Sequence, residues 1–368
     1  MGAPTIILCS GELSGDIHAA ALVRHLRAQM PDARILAMGG DRCREAGAEI
    51  IFHYRDYAIL GFSGVLANLP RFIRLERSLK RHINAADLFI AVDYPGLNLR
   101  LAAHARKKRV PVLYYIGPQV WAWGARRLDR MVDVVDRMAV ILPFEQTLYE
   151  EKGIPVEFVG HPFVMDHPVL PPRSQEERAG VGLLPGSRLQ EVRRLLPVLL
   201  SAAARIRDGG SGEAFIVGRS EGVERRVYDD FIGESGLDVR VSDDAAAVMR
   251  DSRVLLVASG TATLEGALAQ TPLLIVYRVS ALNYLLARKL ITIDRIGLIN
   301  VILGRKVAPE LIQGEATPKA IAEHAGALLR DSALREGMLE EFRRVPEMLA
   351  GGGGCARVAE IATELIAP

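Results

Sequence analysis

The stretch Thr5-Ile6-Ile7-Leu8-Cys9 runs into the turn Ser10-Gly11-Glu12-Leu13-Ser14-Gly15-Asp16 and then into the amphipathic pattern Ile17–Gln29. An apolar run, a glycine-bearing turn and a helical periodicity in direct succession make a βα unit, and its repetition specifies a parallel sheet. The run recurs at Arg34–Met38, Leu88–Val92, Val112–Tyr115, Met138–Ile141 and Val156–Val159, with Leu97–Lys107 among the helical intervals. A second series follows at Val181–Leu184, Ala214–Val217, Val239–Val241, Val254–Val257 and Leu273–Val276. The expected fold is α/β, with two Rossmann-like halves.

Between the series lies His161–Arg173, whose four prolines cannot continue a helix or a central strand. It reads as a linker, placing one domain at residues 1–168 and the other at 169–345. After the glycines 351–354, Cys355–Ile366 forms a last helical pattern within 346–368, expected to pack back on the first domain. The length of 368 residues suits two domains. Lys plus Arg number 46 against 44 Asp plus Glu, so no whole-molecule field draws the chain to nucleic acid. Cys9, Cys43 and Cys355 are too scattered for a disulfide scaffold or zinc module and fit a reducing compartment. The first apolar run is too short for a signal segment, and no stretch has the 18 or so apolar residues of a membrane span.

In open α/β sheets ligands sit at the carboxyl ends of strands, so the loops there carry the candidates. In the first, Gly11 and Gly15 permit a tight turn and close approach of a ligand. Ser14 and Asp16 read either as binding residues or as caps of the next helix. In Val92-Asp93-Tyr94-Pro95-Gly96, Asp93 is placed to act as a general base or to cap the helix that Pro95 opens. Ile116–Gly124 holds both tryptophans, Trp121 and Trp123, as an apolar wall, a sugar-stacking surface or plain core. In Leu184-Pro185-Gly186-Ser187-Arg188, backbone amides, a hydroxyl and a guanidinium converge as a diphosphate requires, although Arg188 could instead pair with Glu191. Ser259-Gly260-Thr261 opens another helix with an anion-suited N-terminus, and Glu265 lies one turn inside, placed for ribose hydroxyls. Asn300, Glu310 and Gln313 form a further polar set, with Glu310 and Gln313 on one face if that stretch is helical.

No G-x-G-x-x-G, Walker loop, D-x-D, H-E-x-x-H or G-x-S-x-G occurs, which argues against a dehydrogenase, a P-loop enzyme, a zincin and an α/β-hydrolase. His161 and His167 have no partner at metal spacing and read as structural. The residues call for no metal or cofactor.

Leu66–Ile83 is basic and amphipathic. Phe72, Leu75, Leu79 and Ile83 recur at helical intervals, while Arg71, Arg74, Arg77, Lys80 and Arg81 cover the rest. Such a helix lies on an anionic bilayer, or packs on its own sheet with a solvated basic face. The membrane reading takes Leu69, Phe72, Ile73, Leu75, Arg71 and Arg74 as the interface.

Taken in order, SGELSGD at Ser10–Asp16, Met38-Gly39-Gly40, Gly61–Val65, VWAW at Val120–Trp123, FVGHP at Phe158–Pro162, LPGSR at Leu184–Arg188 with Glu191, and SGTATLE at Ser259–Glu265 closely resemble the lipid-A-disaccharide synthase family. Leu13, Gly117 and Ile299 depart from the family's usual alanine, serine and proline. The resemblance implies a GT-B glycosyltransferase of family 19, with two Rossmann-like domains facing across a cleft. It implies that UDP-2,3-diacylglucosamine is joined to 2,3-diacylglucosamine 1-phosphate, inverting the anomeric centre and releasing UDP. Asp93 matches the family's rim acid, and Arg188 with the 186–187 and 259–261 amides would neutralise the departing diphosphate. Glu265 would hold the ribose, with Asn300, Glu310 and Gln313 around the donor. Lipid substrates imply a cytoplasmic protein bound peripherally to the inner face of the inner membrane of a Gram-negative-type bacterium. A UDP-N-acetylglucosamine 2-epimerase, a peptidoglycan-precursor transferase and a non-catalytic nucleotide-binding scaffold remain as rivals, and the sequence carries no signature of oligomeric state.

Overall fold

Two series of buried apolar runs become two parallel sheets in the computed structural model, which describes residues 2–58, 69–121, 126–166, 173–210, 212–280 and 294–367. The chain divides into two compact units, Met1–Pro168 with Leu349–Pro368, and Val169–Met348. Gly61–Val65, Leu66–Asn68, Ala122–Gly124 and His167, all invoked above, lie outside the described residues.

The first unit is built on β1 (Thr5–Ser10), β2 (Arg34–Gly39), β3 (Glu49–His53), β4 (Leu88–Val92), β5 (Val112–Tyr115), β6 (Arg137–Val140) and β7 (Val156–Phe158). They lie in the order β3-β2-β1-β4-β5-β6-β7, all pairings parallel. β4 and β5 are buried at every position, which explains why their runs are continuously apolar rather than alternating. β3 escapes the sequence reading because it is an edge strand, nowhere fully buried, and its pattern is correspondingly weak.

The second unit contains β8 (Val181–Leu184), β9 (Phe215–Gly218), β10 (Val239–Ser242), β11 (Val254–Ala258), β12 (Leu273–Tyr277) and β13 (Glu310–Ile312). Their order is β10-β9-β8-β11-β12-β13, again parallel throughout. Glu310 therefore starts an edge strand, and Gln313 follows it with φ of 52°, so the helical face expected for this pair does not exist. In both sheets the strand order reverses beside the first strand, between β1 and β4 and between β8 and β11. Those reversals are where an open α/β sheet leaves a crevice for ligands.

The helix Leu69–Ile83 decides between the two readings of the basic segment. Leu75, Leu79 and Ile83 are buried in the same core as Ile7, Phe89 and Tyr114. Leu75 is thus corrected from an interfacial residue to a core residue: its apolar stripe is needed to cover the sheet. Ile73 is 39% exposed, Arg71, Arg74 and Arg77 are exposed, and Phe72 is half-buried, so a basic face with two apolar side chains remains outward. Arg71 lies over the Tyr57 ring at 5.1 Å. The Leu69 side chain is outside the described residues.

The helix Gly354–Ile366 packs on the helix Leu13–Gln29 in the first unit. Arg357 grips Glu157 with two hydrogen bonds of 2.6 and 3.0 Å, and the Tyr115 hydroxyl meets Cys355 Sγ at 3.3 Å. Within the linker, Pro162–Met165 forms a short helix whose Phe163 N–H donates to His161 Nδ1 at 3.2 Å, a structural task for that histidine.

Candidate active site

At the first switch point the loops after β1 and β4 lie side by side. Asp93 and Tyr94 both adopt left-handed conformations, with φ of 46° and 48°. Two consecutive non-glycine residues in this region are unusual and persist only where surroundings hold them. The holding groups are visible. The Asp93 carbonyl accepts from Asn98 Nδ2 at 2.7 Å and from the Tyr114 hydroxyl at 2.8 Å, while its N–H donates to the Tyr115 carbonyl at 3.2 Å. Asn98 is fully buried and its amide also reaches the Cys9 and Val92 carbonyls, tying the end of β1 to the end of β4. The helix Pro95–Lys107 takes Tyr94 rather than Asp93 as its N-cap residue, and the Tyr94 side chain makes no capping hydrogen bond. The Asp93 side chain is exposed at the rim. Tyr94 packs flat over Gly11, where a Cβ would stand 2.3 Å from the ring; only glycine fits there.

Asp16 has a different task from the one expected. It is 1% exposed, and its carboxylate accepts the Gly40 N–H at 2.6 Å and those of Arg42 and Cys43 at 3.3 and 3.4 Å. It caps the following helix, Asp41–Glu45, and is corrected from ligand contact to scaffold. Ser14 and Gly15 lie in the first turn of the helix Leu13–Gln29, Ser14 half-buried and Gly15 buried against Ser10.

The second switch point gathers the Leu184–Arg188 and Ser259–Thr261 loops. Gly186 has φ of 111°, which turns the chain so that Glu191 folds under it. Glu191 Oε2 accepts the N–H groups of Ser187 and Arg188 at 3.0 and 3.3 Å, and Oε1 meets Arg188 Nη1 at 3.3 Å. The Ser187 amide, expected to face a diphosphate, is thus taken by a capping carboxylate. The Ser187 and Arg188 side chains remain exposed, and the Ser187 carbonyl is held by the Ser220 hydroxyl at 3.2 Å.

Gly260 and Thr261 are exposed at the start of the helix Thr261–Leu268, whose first two N–H groups precede its ladder, while the third, that of Thr263, donates to the Gly260 carbonyl at 3.2 Å. The Ser259 hydroxyl donates to the Ile296 carbonyl at 2.7 Å. Glu265 is half-buried; burial raises its carboxyl above the usual range, and a hydrogen bond from Thr261 opposes that.

Asn300, Glu310 and Gln313 stand behind this loop. The Glu310 carboxylate accepts the Ile296 and Gly297 N–H groups at 3.1 and 2.9 Å and the Asn300 amide at 2.8 Å. Asn300 is fully buried, with its Oδ1 accepting from Val307 and Ala308 at 2.9 Å each. Gln313 clamps Val279, accepting its N–H at 3.1 Å and donating to its carbonyl at 3.3 Å. The bonds made by Asn300 and Glu310 run to each other and to main chain, so direct ligand contact gives way to a supporting role: Glu310, held by Asn300, fixes the N–H groups of Ile296 and Gly297 where the Ile296 carbonyl receives Ser259, while Gln313 holds Val279.

A lipid-A-disaccharide synthetase family model matches residues 6–347. The chain belongs to that family. The lipid-A-disaccharide synthase of Trichlorobacter lovleyi is 40% identical over 374 residues, covering 98% of this chain and 97% of that one, and the Myxococcus xanthus synthase is 38% identical over 99% and 98%. Solved structures share the fold at low identity. The calicheamicin glycosyltransferase superposes with a TM-score of 0.61 at 17% identity, with full coverage of both chains. A Neisseria meningitidis UDP-GlcNAc 2-epimerase superposes with 0.62 at 10%, covering 98% and 99%. The fold is GT-B, and family membership makes the chain a glycosyltransferase of lipid A biosynthesis.

Family motifs thus fall at both switch points, yet several site residues were not singled out beforehand. Asn98 carries no signal in one sequence beyond sitting three residues after a helix-opening proline. Tyr277 ends β12; burial raises its phenol, Glu191 raises it further and Arg188 opposes, placing it next to that ion pair. Glu145, inside the PFE of Pro143–Glu145, is 2% exposed and hydrogen-bonds Trp121. A glutamate in a first helical turn reads as a surface cap, so periodicity alone hides it.

Proposed function

We propose that the protein transfers the 2,3-diacylglucosamine of its UDP derivative to 2,3-diacylglucosamine 1-phosphate, forming the β-1,6-linked disaccharide 1-phosphate and UDP. The observation carrying this reading is the family match across both units, with the family's loops at both strand-order reversals. Inversion in one displacement needs a base at the acceptor hydroxyl and stabilisation of the departing diphosphate. Asp93, exposed on a rigid strained backbone, is the base: its carboxylate takes the hydroxyl proton as the acceptor oxygen attacks the anomeric carbon and the bond to UDP breaks. Arg188, the Ser187 hydroxyl and the first N–H groups of the helix Thr261–Leu268 receive the diphosphate charge. Glu265, beside Thr261, holds the ribose. The first unit takes the acceptor and the second the nucleotide.

Membrane association is part of the same reading. Among the described residues no helix is long and apolar enough to cross a membrane. Drawing an acyl chain of about a dozen methylenes into water costs on the order of 10 kcal/mol, so the enzyme goes to the bilayer. The face with Arg71, Phe72, Ile73 and Arg74 is the surface we assign to anionic lipid on the inner face of the inner membrane.

The test is incubation with both acylated glucosamines, following UDP and the disaccharide by mass spectrometry. UDP and disaccharide should appear in equal amounts; epimerised UDP-sugar, or UDP without disaccharide, overturns the proposal. Asp93→Ala should bind UDP and transfer nothing. Retained transfer removes Asp93 as the base.

A further inference from the structure

At the carboxyl end of β12 the chain leaves the second sheet as Tyr277-Arg278-Val279, and Gln313, just past β13, holds all three. The Gln313 N–H donates to the Tyr277 carbonyl at 2.8 Å, and its carbonyl accepts from Arg278 Nε at 3.3 Å. Its side chain clamps the N–H and the carbonyl of Val279 at 3.1 and 3.3 Å. Arg278 itself is half-buried. Among the described residues its guanidinium makes that one hydrogen bond and no ion pair. All aspartates and glutamates of the chain lie among those residues, so none is left elsewhere to serve it. Half-buried arginines in other places are met by acids, Arg219 by Asp243 and Arg357 by Glu157. A guanidinium fixed at Nε with Nη1 and Nη2 unspent is a fork held open for an anion, because a partly desolvated cation gains most from a charged acceptor.

The register of the sheet indicates which anion. β11 pairs Val257 with Ile275 and Ala258 with Val276 of β12, and on its other side Val257 with Leu184 of β8. Counted on from these pairs, Gly186, Ser259 and Tyr277 leave their strands in one row, and Ser187, Gly260 and Arg278 follow in the next. Neighbouring strands lie about 4.8 Å apart, so Arg278 starts one strand from the 259–261 turn and two from the 186–188 turn. The Tyr277 phenol feels the charges of both Glu191 and Arg188, in keeping with that placement. We propose that Arg278 is a second guanidinium on the departing diphosphate of UDP, kept in place by Gln313. This rests on the two turns being the nucleotide site. Already fixed, Arg278 meets the charge that develops on the leaving group without reorganising.

Calorimetry with UDP and with uridine tests this. Arg278→Gln should weaken UDP binding about ten- to a hundredfold and leave uridine binding unchanged. Arg278→Lys keeps the charge but not the fork, so it should recover part of the loss. In the transfer assay kcat should fall for Arg278→Gln while the KM for the acceptor stays at its wild-type value. Should the glutamine variant fail to fold by its urea midpoint, the lysine variant carries the test, with UDP weakened and uridine not. Wild-type affinity for UDP in the folded variant overturns the proposal. So does an equal loss for uridine, or a loss confined to the acceptor KM, which would give the guanidinium to the acceptor phosphate instead. If the wild-type protein binds no UDP, the nucleotide site has been misplaced and the proposal falls with it. If UDP binding behaves as expected but no disaccharide forms with the wild type, the assigned transfer reaction has failed, while the Arg278 contact stands.

Discussion

The helix Leu69–Ile83 separates two energies that the sequence superimposes, folding and membrane attachment. Leu75 is 1% exposed in the core of the first unit, and its truncation to alanine leaves a cavity worth about 2–5 kcal/mol of stability. Arg74 and Arg77 are exposed and close to the outward Ile73. Each cation near an anionic bilayer contributes about 1 kcal/mol, so Arg74→Gln with Arg77→Gln should lower partitioning by about 2 kcal/mol, roughly thirtyfold. The double variant should unfold in urea at the wild-type midpoint, and Leu75→Ala at a clearly lower one. Sedimentation with vesicles containing phosphatidylglycerol reads the attachment, and uncharged phosphatidylcholine vesicles should show no difference between wild type and the arginine variant. Equal partitioning of that variant onto the anionic vesicles, with its fold intact, would refute assignment of this face to lipid. A wild-type urea midpoint for Leu75→Ala would refute its place in the core.

If Arg188 meets the diphosphate as proposed, Arg188→Ala should weaken UDP binding about ten- to a hundredfold by calorimetry. Its surface pair with Glu191 contributes at most about 1 kcal/mol, so the thermal midpoint should scarcely move. Gly11→Ala drives a methyl into the Tyr94 ring, at an overpacking cost of about 1–3 kcal/mol, and displaces Asp93 with it. Transfer should collapse while UDP binding, assigned to the other unit, is kept; loss of both would contradict that division. Between the ordinary carboxyl value of 4.5 and about 8, the folded chain keeps a Glu145 proton that the unfolded chain has released. Stability should therefore fall as pH rises through that window, by on the order of 5 kcal/mol in full. Glu145→Gln should flatten that part of the urea-measured pH profile, and an unchanged slope would place Glu145 in a wetter setting.

The central strands were legible because strands buried on both faces, such as Leu88–Val92 and Val112–Tyr115, must be apolar throughout. Of the four edges, β7 and β10 were legible as Val156–Val159 and Val239–Val241, while β3 and β13 were not, being short and little buried. For the basic helix, one apolar period served two readings, and only the place of Leu75, Leu79 and Ile83 under the sheet separated them. The loops were legible as places: glycines and anion-suited helix starts marked both reversals of strand order. The tasks of their acids were harder to see. A carboxylate looks the same in sequence whether it stands exposed at a sheet's rim, like Asp93, or is buried against a neighbouring helix start, like Asp16.

That distinction has a physical basis that runs through both units. Bringing unpaired backbone N–H groups and a strained turn to a sheet's rim is costly, and the cost is met by polar side chains behind the rim. Asn98 and Tyr114 restrain Asp93, Glu191 closes the turn before Arg188, and Glu310 with Asn300 supports the Ile296 carbonyl that receives Ser259. Each of these supports ends on main chain, directly or, for Asn300, through the Glu310 carboxylate, so it fixes backbone shape independently of what the exposed side chains bind. Substitution of a supporting residue should therefore change stability and ligand affinity together, whereas substitution of Arg188 or Asp93 should change ligand chemistry alone. A motif that mixes the two kinds, as LPGSR with Glu191 does, specifies a conformation first and a contact second.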